Sequence, residues 1–250
     1  MKINIITGGS RGLGRSMALH LADKGQDSII TYHGNKDAAH EVVKEIVAKG
    51  RKAVALQFDV SQSKTFDAFA GDIKKALAAT WKADRFDHLV NNAGTGMYTP
   101  IADVTEAKFE EIMNIHLKGP YFLTQKLLPL MNDGGHIVNI SSGLTRMTHD
   151  GSSVYAMMKG GIEVFTRYLA KELAARRITA NTVAPGAIQT DFGDGRVRNS
   201  PDLQKMLTSN TALGRVAVAD DIGALVAAML SSDFGWVNGQ RIEASGGIML

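Results

Sequence analysis

The sequence predicts a doubly wound α/β fold, a mainly parallel seven-stranded sheet with helices on both faces, forming a single domain over residues 1–250. Two observations carry this. Short apolar runs rich in β-branched residues alternate with longer amphipathic stretches from one end of the chain to the other. Glycine follows several of those stretches, at Gly25 and Gly50 for example, where helices commonly stop. Strands separated by helices of this length cannot be joined as hairpins. They pair in parallel and are covered on both faces.

Ile3–Thr7 is a short apolar run ending at Gly8, suited to a buried strand. Leu13–Lys24 places Leu13, Met17, Leu21 and Ala22 at helical spacing. Ser28–Tyr32 reads as a strand, Asp37–Lys49 as a helix with Val42, Val43, Ile46 and Val47 inward, and Ala53–Phe58 as a third strand. The alternation continues through a helix at Phe66–Ala79, a strand at Phe86–Val90, and a long helix at Thr105–Met131, bent near Gly119-Pro120. A strand at His136–Ile140 and a second long helix at Ser153–Ala175 follow. The remaining elements are a strand at Ile178–Val183, a helix at Asp220–Leu230 and a last short strand at Gln240–Glu243. Right-handed crossovers then place any ligand beyond the carboxyl ends of the strands. Gly186–Leu213 is the least regular stretch and is expected to be a substrate lid, with a plain loop as the alternative.

Composition narrows the function classes. The chain has no cysteine, which excludes disulfides and thiolate chemistry. Its 28 Lys and Arg against 25 Asp and Glu leave a net charge of +3, with no block of like charge, so no nucleic-acid partner is expected. No run approaches the roughly 18 apolar residues that span a membrane, and the apolar start is too short for a signal peptide. A cytoplasmic location is expected. The seven histidines show no metal-ligand spacing, so no metal site is expected.

The turn Thr7-Gly8-Gly9-Ser10-Arg11-Gly12-Leu13-Gly14 joins the first strand to the first helix. Gly8, Gly12 and Gly14 allow a tight turn and let the backbone approach a pyrophosphate at the helix N-terminus. It is not a P-loop, because no Gly-Lys-Ser/Thr follows. Tyr155 and Lys159 lie four apart, hence on one face of the second long helix. A free tyrosine has a pKa of about 10, and a nearby cation favours its phenolate.

With these residues in order, the whole chain resembles the short-chain dehydrogenase/reductase family, whose domain is of Rossmann type. The glycine turn is similar to the family's T-G-x-x-x-G-x-G. Asp59-Val60 matches its adenine-contacting segment, and Asn91-Asn92-Ala93-Gly94 its N-N-A-G. Asn114 matches its catalytic asparagine. Ser142, thirteen residues before Tyr155, and Tyr155-Ala156-Met157-Met158-Lys159 match its serine and Y-x-x-x-K. Asn181, Pro185-Gly186 and Thr190 match the segment that holds the nicotinamide carboxamide.

The resemblance implies an oxidoreductase that interconverts a carbonyl compound and a secondary alcohol by hydride transfer. Tyr155 would be the acid/base, Lys159 its support, Ser142 the donor to the substrate oxygen, and Asn114 the holder of a relay water. Ser141 stands beside Ser142 as a rival. Cofactor contacts would come from Gly8, Ser10, Arg11, Gly12, Leu13, Gly14, His33, Asp59, Val60, Asn91, Ala93, Gly94, Tyr155, Lys159, Pro185, Gly186, Ile188 and Thr190. No acid ends the second strand at Thr31-Tyr32-His33-Gly34, and Arg11 sits in the glycine turn, with His33 and Lys36 near by. NADP is therefore expected over NAD. Ser142, Leu144, His149, Tyr155 and Phe192 would meet a small-molecule substrate, with Thr95, Gly96, Met147, Val154 and Ala187 as further pocket candidates; His149 is otherwise a loop residue.

Two alternatives stay open. One is a 3-oxoacyl-carrier-protein reductase, weakened because Asp133 stands where that enzyme carries a basic contact, although Arg176 matches a second. The other is an NADP-binding sensor without turnover. The family also implies a homotetramer built on the two long helices, with the apolar end Gly246–Leu250 at another interface.

Overall fold

A computed structural model describes residues 1–250. The apolar runs form seven parallel strands: β1 (Ile3–Ile6), β2 (Asp27–Tyr32), β3 (Ala53–Gln57), β4 (Phe86–Asn91), β5 (Met131–Ile140), β6 (Thr179–Pro185) and β7 (Arg241–Ala244). Their order is β3-β2-β1-β4-β5-β6-β7, all neighbours parallel. The chain winds outward from β1 to one edge, returns to β4 beside β1, and winds to the other edge. The crevice at this reversal, beyond the carboxyl ends of β1 and β4, is where such sheets take ligands.

Consecutive strand side chains point to opposite faces. Ile5, Ile29, Leu89 and Ile137 therefore enter one core, and Ile6, Ile30, Val90 and Val138 the other. Helices α1 (Gly12–Asp23) and α2 (Lys36–Ala48) cover the second face with Met17, Leu21, Val42 and Ile46. Helix α3 (Phe66–Trp81) covers the first with Phe66, Ile73 and Leu77.

The first long helix has a more complex course than its sequence suggests. It is built from α4 (Glu106–Met113), a π-helical turn at Asn114–Lys118, α5 (Gly119–Leu127) and a 3-10 turn at Leu128–Leu130; Met131 already belongs to β5. Pro120 has no N–H to continue the α-helical ladder, and one wide turn absorbs the defect. A Cβ at Gly119 would lie 2.3 Å from the Val60 carbonyl oxygen, so only glycine lets this helix pass that close to the end of β3.

Helix α6 (Ser153–Glu172) packs Leu169 and Ala170 on the first face. In the 186–213 stretch the chain forms two short helices, α7 (Arg196–Asn199) and α8 (Pro201–Ser209), the latter capped by Ser200 accepting from the Leu203 N–H at 3.3 Å. Helix α9 (Ala219–Met229) lies against α1, where Gly223 leaves room for Ser16. Ser16 Oγ donates to Asp220 Oδ1 at 2.5 Å. No helix is long and apolar enough to cross a membrane.

Candidate functional site

A cleft of about 880 Å³ opens at the carboxyl ends of the strands. Its floor is the turn between β1 and α1. Gly8 and Gly12 have φ of 68° and 54°, which favours glycine. A Cβ at Gly14 would lie 2.2 Å from the Gly8 carbonyl oxygen, so Gly14 serves the helix–turn packing rather than the cleft wall. Thr7 ties this turn to the end of β4: its Oγ1 accepts from Asn92 N–H at 2.9 Å and Ala93 N–H at 3.0 Å. Ser10, Arg11, Leu13, Ala93 and Gly94 line the cleft, as do Asp59 and Val60 past β3. Asp59 Oδ1 accepts from the Ser61 N–H at 2.9 Å, and its Oδ2 lies 3.5 Å from His33 Nε2. Arg11 is exposed, whereas Arg15 one turn on is held by Glu45 at 2.6 Å.

Pro185, Gly186, Ile188 and Thr190 form the wall beyond β6. Gly186 sits where a Cβ would lie 2.9 Å from Ser245 Cα. Thr190 faces the glycine turn, since a Cβ at Gly12 would lie 3.8 Å from its Cβ.

Tyr155 and Lys159 occupy the first turns of α6 and are both buried. Lys159 Nζ donates to the Ile140 carbonyl at 2.7 Å and stands 5.6 Å from the Tyr155 ring centroid. Burial pulls the Lys159 ammonium down to about 7. Burial pushes the Tyr155 phenol up, Tyr98 adds to that, and a hydrogen bond with Ser142 opposes it. Burial thus outweighs the Ser142 hydrogen bond.

Ser142 starts the loop after β5, and its Oγ accepts from Leu144 N–H at 3.2 Å. The rival Ser141 is turned to structure, donating to Glu163 Oε1 at 2.7 Å. Glu163 also accepts from Thr145 Oγ1 and Arg241 Nε, both at 2.8 Å. Arg241 Nη2 reaches the Ser142 carbonyl at 3.3 Å, so this charged group fixes the serine loop from beneath.

Several expected site residues lie elsewhere. Asn91 is buried in the sheet, donating to Thr124 Oγ1 at 3.0 Å and Asn139 Oδ1 at 2.8 Å; its neighbour Asn92 lines the cleft and donates to the Thr7 carbonyl at 2.8 Å. Asn181 is occupied at the far end of β6, donating to the Val237 carbonyl at 2.7 Å. Val154 packs in a small core with Met97, Ile112 and Met158. Asn114 opens the π-helical turn and is not among the cleft residues; His116, two positions on, is. The His116 ring meets Tyr155 edge-on at 5.0 Å between centroids. Two residues apart on a helix point to different sides, which separates Asn114 from this position.

The outer cleft holds Gly96, Leu144, Met147, His149, Ala187 and Phe192. Phe192 lies 5.9 Å from the Tyr155 ring, and Tyr98 6.2 Å from His149. The sequence reading missed Tyr98, whose ring also receives Arg196 at 4.7 Å.

A family profile described as enoyl-(acyl carrier protein) reductase matches residues 8–249. A hydroxynaphthalene reductase-like protein of Metarhizium brunneum is 33% identical over 257 residues, covering 98% of this chain and 94% of its own. Among solved structures, the angucycline C-6 ketoreductase LanV with bound NADP superposes with a TM-score of 0.94 at 33% identity, over 99% of this chain and 95% of that one. The same ketoreductase with NADP and rabelomycin gives a TM-score of 0.90 at 34% identity, over 99% and 96%. A short-chain dehydrogenase of Burkholderia cenocepacia in complex with NADP gives a TM-score of 0.90 at 32% identity, over 98% and 97%.

Proposed function

The chain belongs to the short-chain dehydrogenase/reductase family and is an NADP-dependent oxidoreductase, and from that premise we propose that it reduces the ketone of a planar, ring-fused substrate with Tyr155 as proton donor. The observation that carries the reading is the buried Tyr155–Lys159 pair beneath Ser142 at the inner end of the cleft.

The residues fit NADP. Gly8 and Gly12 put no side chain in the way of a pyrophosphate, and α1 begins at Gly12 with its free N–H groups at that end. Arg11 and His33 line the cleft where a 2′-phosphate needs donors, and no carboxylate ends β2 to repel it. Bound there, the dinucleotide supplies the hydride.

The protein's part is positioning and proton transfer. Burial keeps Tyr155 protonated at neutral pH, the state a proton donor needs. Its O–H donates to the substrate oxygen as charge builds there, and the Ser142 hydroxyl donates a second hydrogen bond. Lys159, titrating at about 7, can return a proton to the phenolate. Tyr98 and Phe192 add aromatic rings to the outer cleft, which Leu144, Met147 and His149 also line. This suits a flat ring system, and the reductases named above for hydroxynaphthalene and angucycline chemistry favour the same class. The 186–213 segment carries Phe192 and acts as a lid over the substrate, turning at Gly193 and Gly195, both with positive φ.

A carrier-protein substrate fits less well. Arg176 is bound to Asp133 at 2.7 Å and to the Leu128 carbonyl at 2.9 Å, so it is not offered to an acidic partner. The protein assembles as a homotetramer through the α5–α6 face, where Tyr121, Phe122, Met157 and Tyr168 are exposed.

NADPH oxidation should be followed with fused-ring ketones such as 2-tetralone beside straight-chain ketones, with Tyr155→Phe as control. Turnover is expected to favour fused rings and to fall about a thousandfold in the variant, with NADPH affinity kept. Equal rates in both proteins would refute Tyr155 as donor. Tight NADPH binding without turnover of any ketone would favour the sensor.

A further inference from the structure

Two arginines line the cleft, Arg11 and Arg196, and neither is ion-paired, although their chain neighbours Arg15 and Arg198 are held by Glu45 and Asp191. Arg11 has a task at the cofactor end, where a 2′-phosphate needs a donor. The chemistry above gives Arg196 none.

Arg196 stands in the outer cleft. Its guanidinium carbon lies 4.7 Å from the centroid of the Tyr98 ring, and Tyr98 in turn meets His149 edge-on at 6.2 Å. The segment that carries it is drawn tightly onto the chain after β4. A Cβ at Gly96 would lie 3.0 Å from Gly193 Cα, and one at Gly193 would lie 3.0 Å from Tyr98 Cε2. Stacking fixes the plane of a guanidinium and spends none of its N–H donors. No hydrogen bond from those donors to the chain accompanies the contact with Tyr98.

The carboxylates that line the cleft are already engaged. Asp191 is paired with Arg198, Glu111 with Lys108 at 2.8 Å, and Asp59 accepts from the Ser61 N–H at 2.9 Å. The mouth of the cleft therefore keeps one oriented positive fork with nothing inside the protein to satisfy it. A planar guanidinium fork matches a carboxylate through two parallel hydrogen bonds. Tyr155 is buried at the inner end, whereas Arg196 is exposed at the mouth.

Resting on the proposed reduction of a ring-fused ketone, we infer that Arg196 is a specificity-determining residue that binds a carboxylate carried by the substrate at the end away from its ketone. The ketone goes inward to Tyr155, the rings lie along the aromatic outer cleft, and the acid stays at the mouth. Neutral ketones of the same ring size are accepted less well, because they leave the fork without its partner.

The test compares an acid with its neutral isostere. 2-Naphthoate and 2-naphthamide should be titrated by calorimetry into the NADP complex, in which the cofactor occupies the Arg11 end. The acid is expected to bind about tenfold more tightly. Arg196→Gln should abolish that preference while leaving naphthamide affinity and melting temperature unchanged, and Arg196→Lys should keep part of it. In turnover, a carboxylate-bearing 2-tetralone should show the same advantage in kcat/KM over its amide. Equal affinity for acid and amide in the wild type would overturn the inference, as would an acid preference that survives Arg196→Gln. An equal loss for both ligands in that variant would also overturn it, since that is the signature of an arginine that only holds the lid. Naphthamide binding and 2-tetralone reduction without any acid preference remove Arg196 alone. Failure of the NADP complex to bind either ring compound refutes the ring-fused reading and the inference with it.

Discussion

The two ends of this sheet treat buried polar groups in opposite ways. At the amino end, buried carboxylates are closed off by partners. Asp27, with no exposed surface, accepts from the Trp81 indole N–H at 2.7 Å and the Lys52 N–H at 3.0 Å, with Arg51 Nε at 3.2 Å. Asp87 accepts from the Ile3 N–H at 2.8 Å, Lys2 at 3.0 Å and Asn132 at 3.2 Å, which together outweigh its burial and hold its carboxyl below the usual range. At the carboxyl end, Lys159 has no carboxylate beside it, and the Tyr155 phenol is held protonated by burial. One end consumes its polar groups in holding strands together; the other keeps them available for a reacting molecule. Stability and activity should therefore respond separately to substitutions at the two ends.

The largest effect should come from crossing them. Asp27→Ala strands the Trp81 indole donor, leaves the Arg51 guanidinium without its counter-ion and is expected to cost about 3 kcal/mol in urea unfolding, with NADPH affinity unchanged. Lys159→Met should do the reverse, losing turnover about a hundredfold while melting no lower than wild type, because a buried ammonium is replaced by an apolar chain of similar length. Loss of stability in both, or of activity in both, would erase the distinction.

A pH effect on stability is expected from the amino end. Burial, then the neighbouring His136, drives His88 from 6.5 to about 3, and the His136 ring is lowered too. Between those limits the unfolded chain binds a proton at His88 that the folded chain refuses. Folding stability is thus unaffected by His88 above about pH 6.5 and falls as pH drops toward 3, by roughly 1.4 kcal/mol per unit for each such group. Denaturation midpoints measured across this range should fall less steeply in His88→Gln. An unchanged slope would mean that the pair is not the source.

The smallest effect tests the outer cleft. Arg11→Ala should raise the NADPH KM about tenfold and leave the NADH KM unchanged, since one exposed charge-assisted contact to the 2′-phosphate is removed. No loss with NADPH would take Arg11 out of cofactor selection.

Much of the site could be read along the chain because its signals are local. The glycine turn depends on backbone freedom at Gly8 and Gly12, and the Tyr155–Lys159 spacing depends on one turn of helix. The placements that the sequence left open all required a register that no local pattern carries. Asn91 and Asn92 are adjacent at the end of β4, and only the pairing of that strand with β5 decides which enters the sheet interior. Asn114 and His116 lie on one helical run, and the wide turn before Gly119-Pro120 decides which meets Tyr155. Arg176 looks like a free surface cation until β5 brings Asp133 beside it.

By itself, then, the sequence determined the alternation of strand and helix, the parallel sheet and the tyrosine–lysine face. Hydrophobic period, glycine freedom and helical spacing are properties of a few consecutive residues. Only the tertiary structure decided which polar groups are spent on the fold and which stay open to the cleft. That depends on desolvation and hydrogen-bond partners supplied by segments far away in the chain, as Thr95 on the β4–α4 connection holds the His116 ring beside Tyr155.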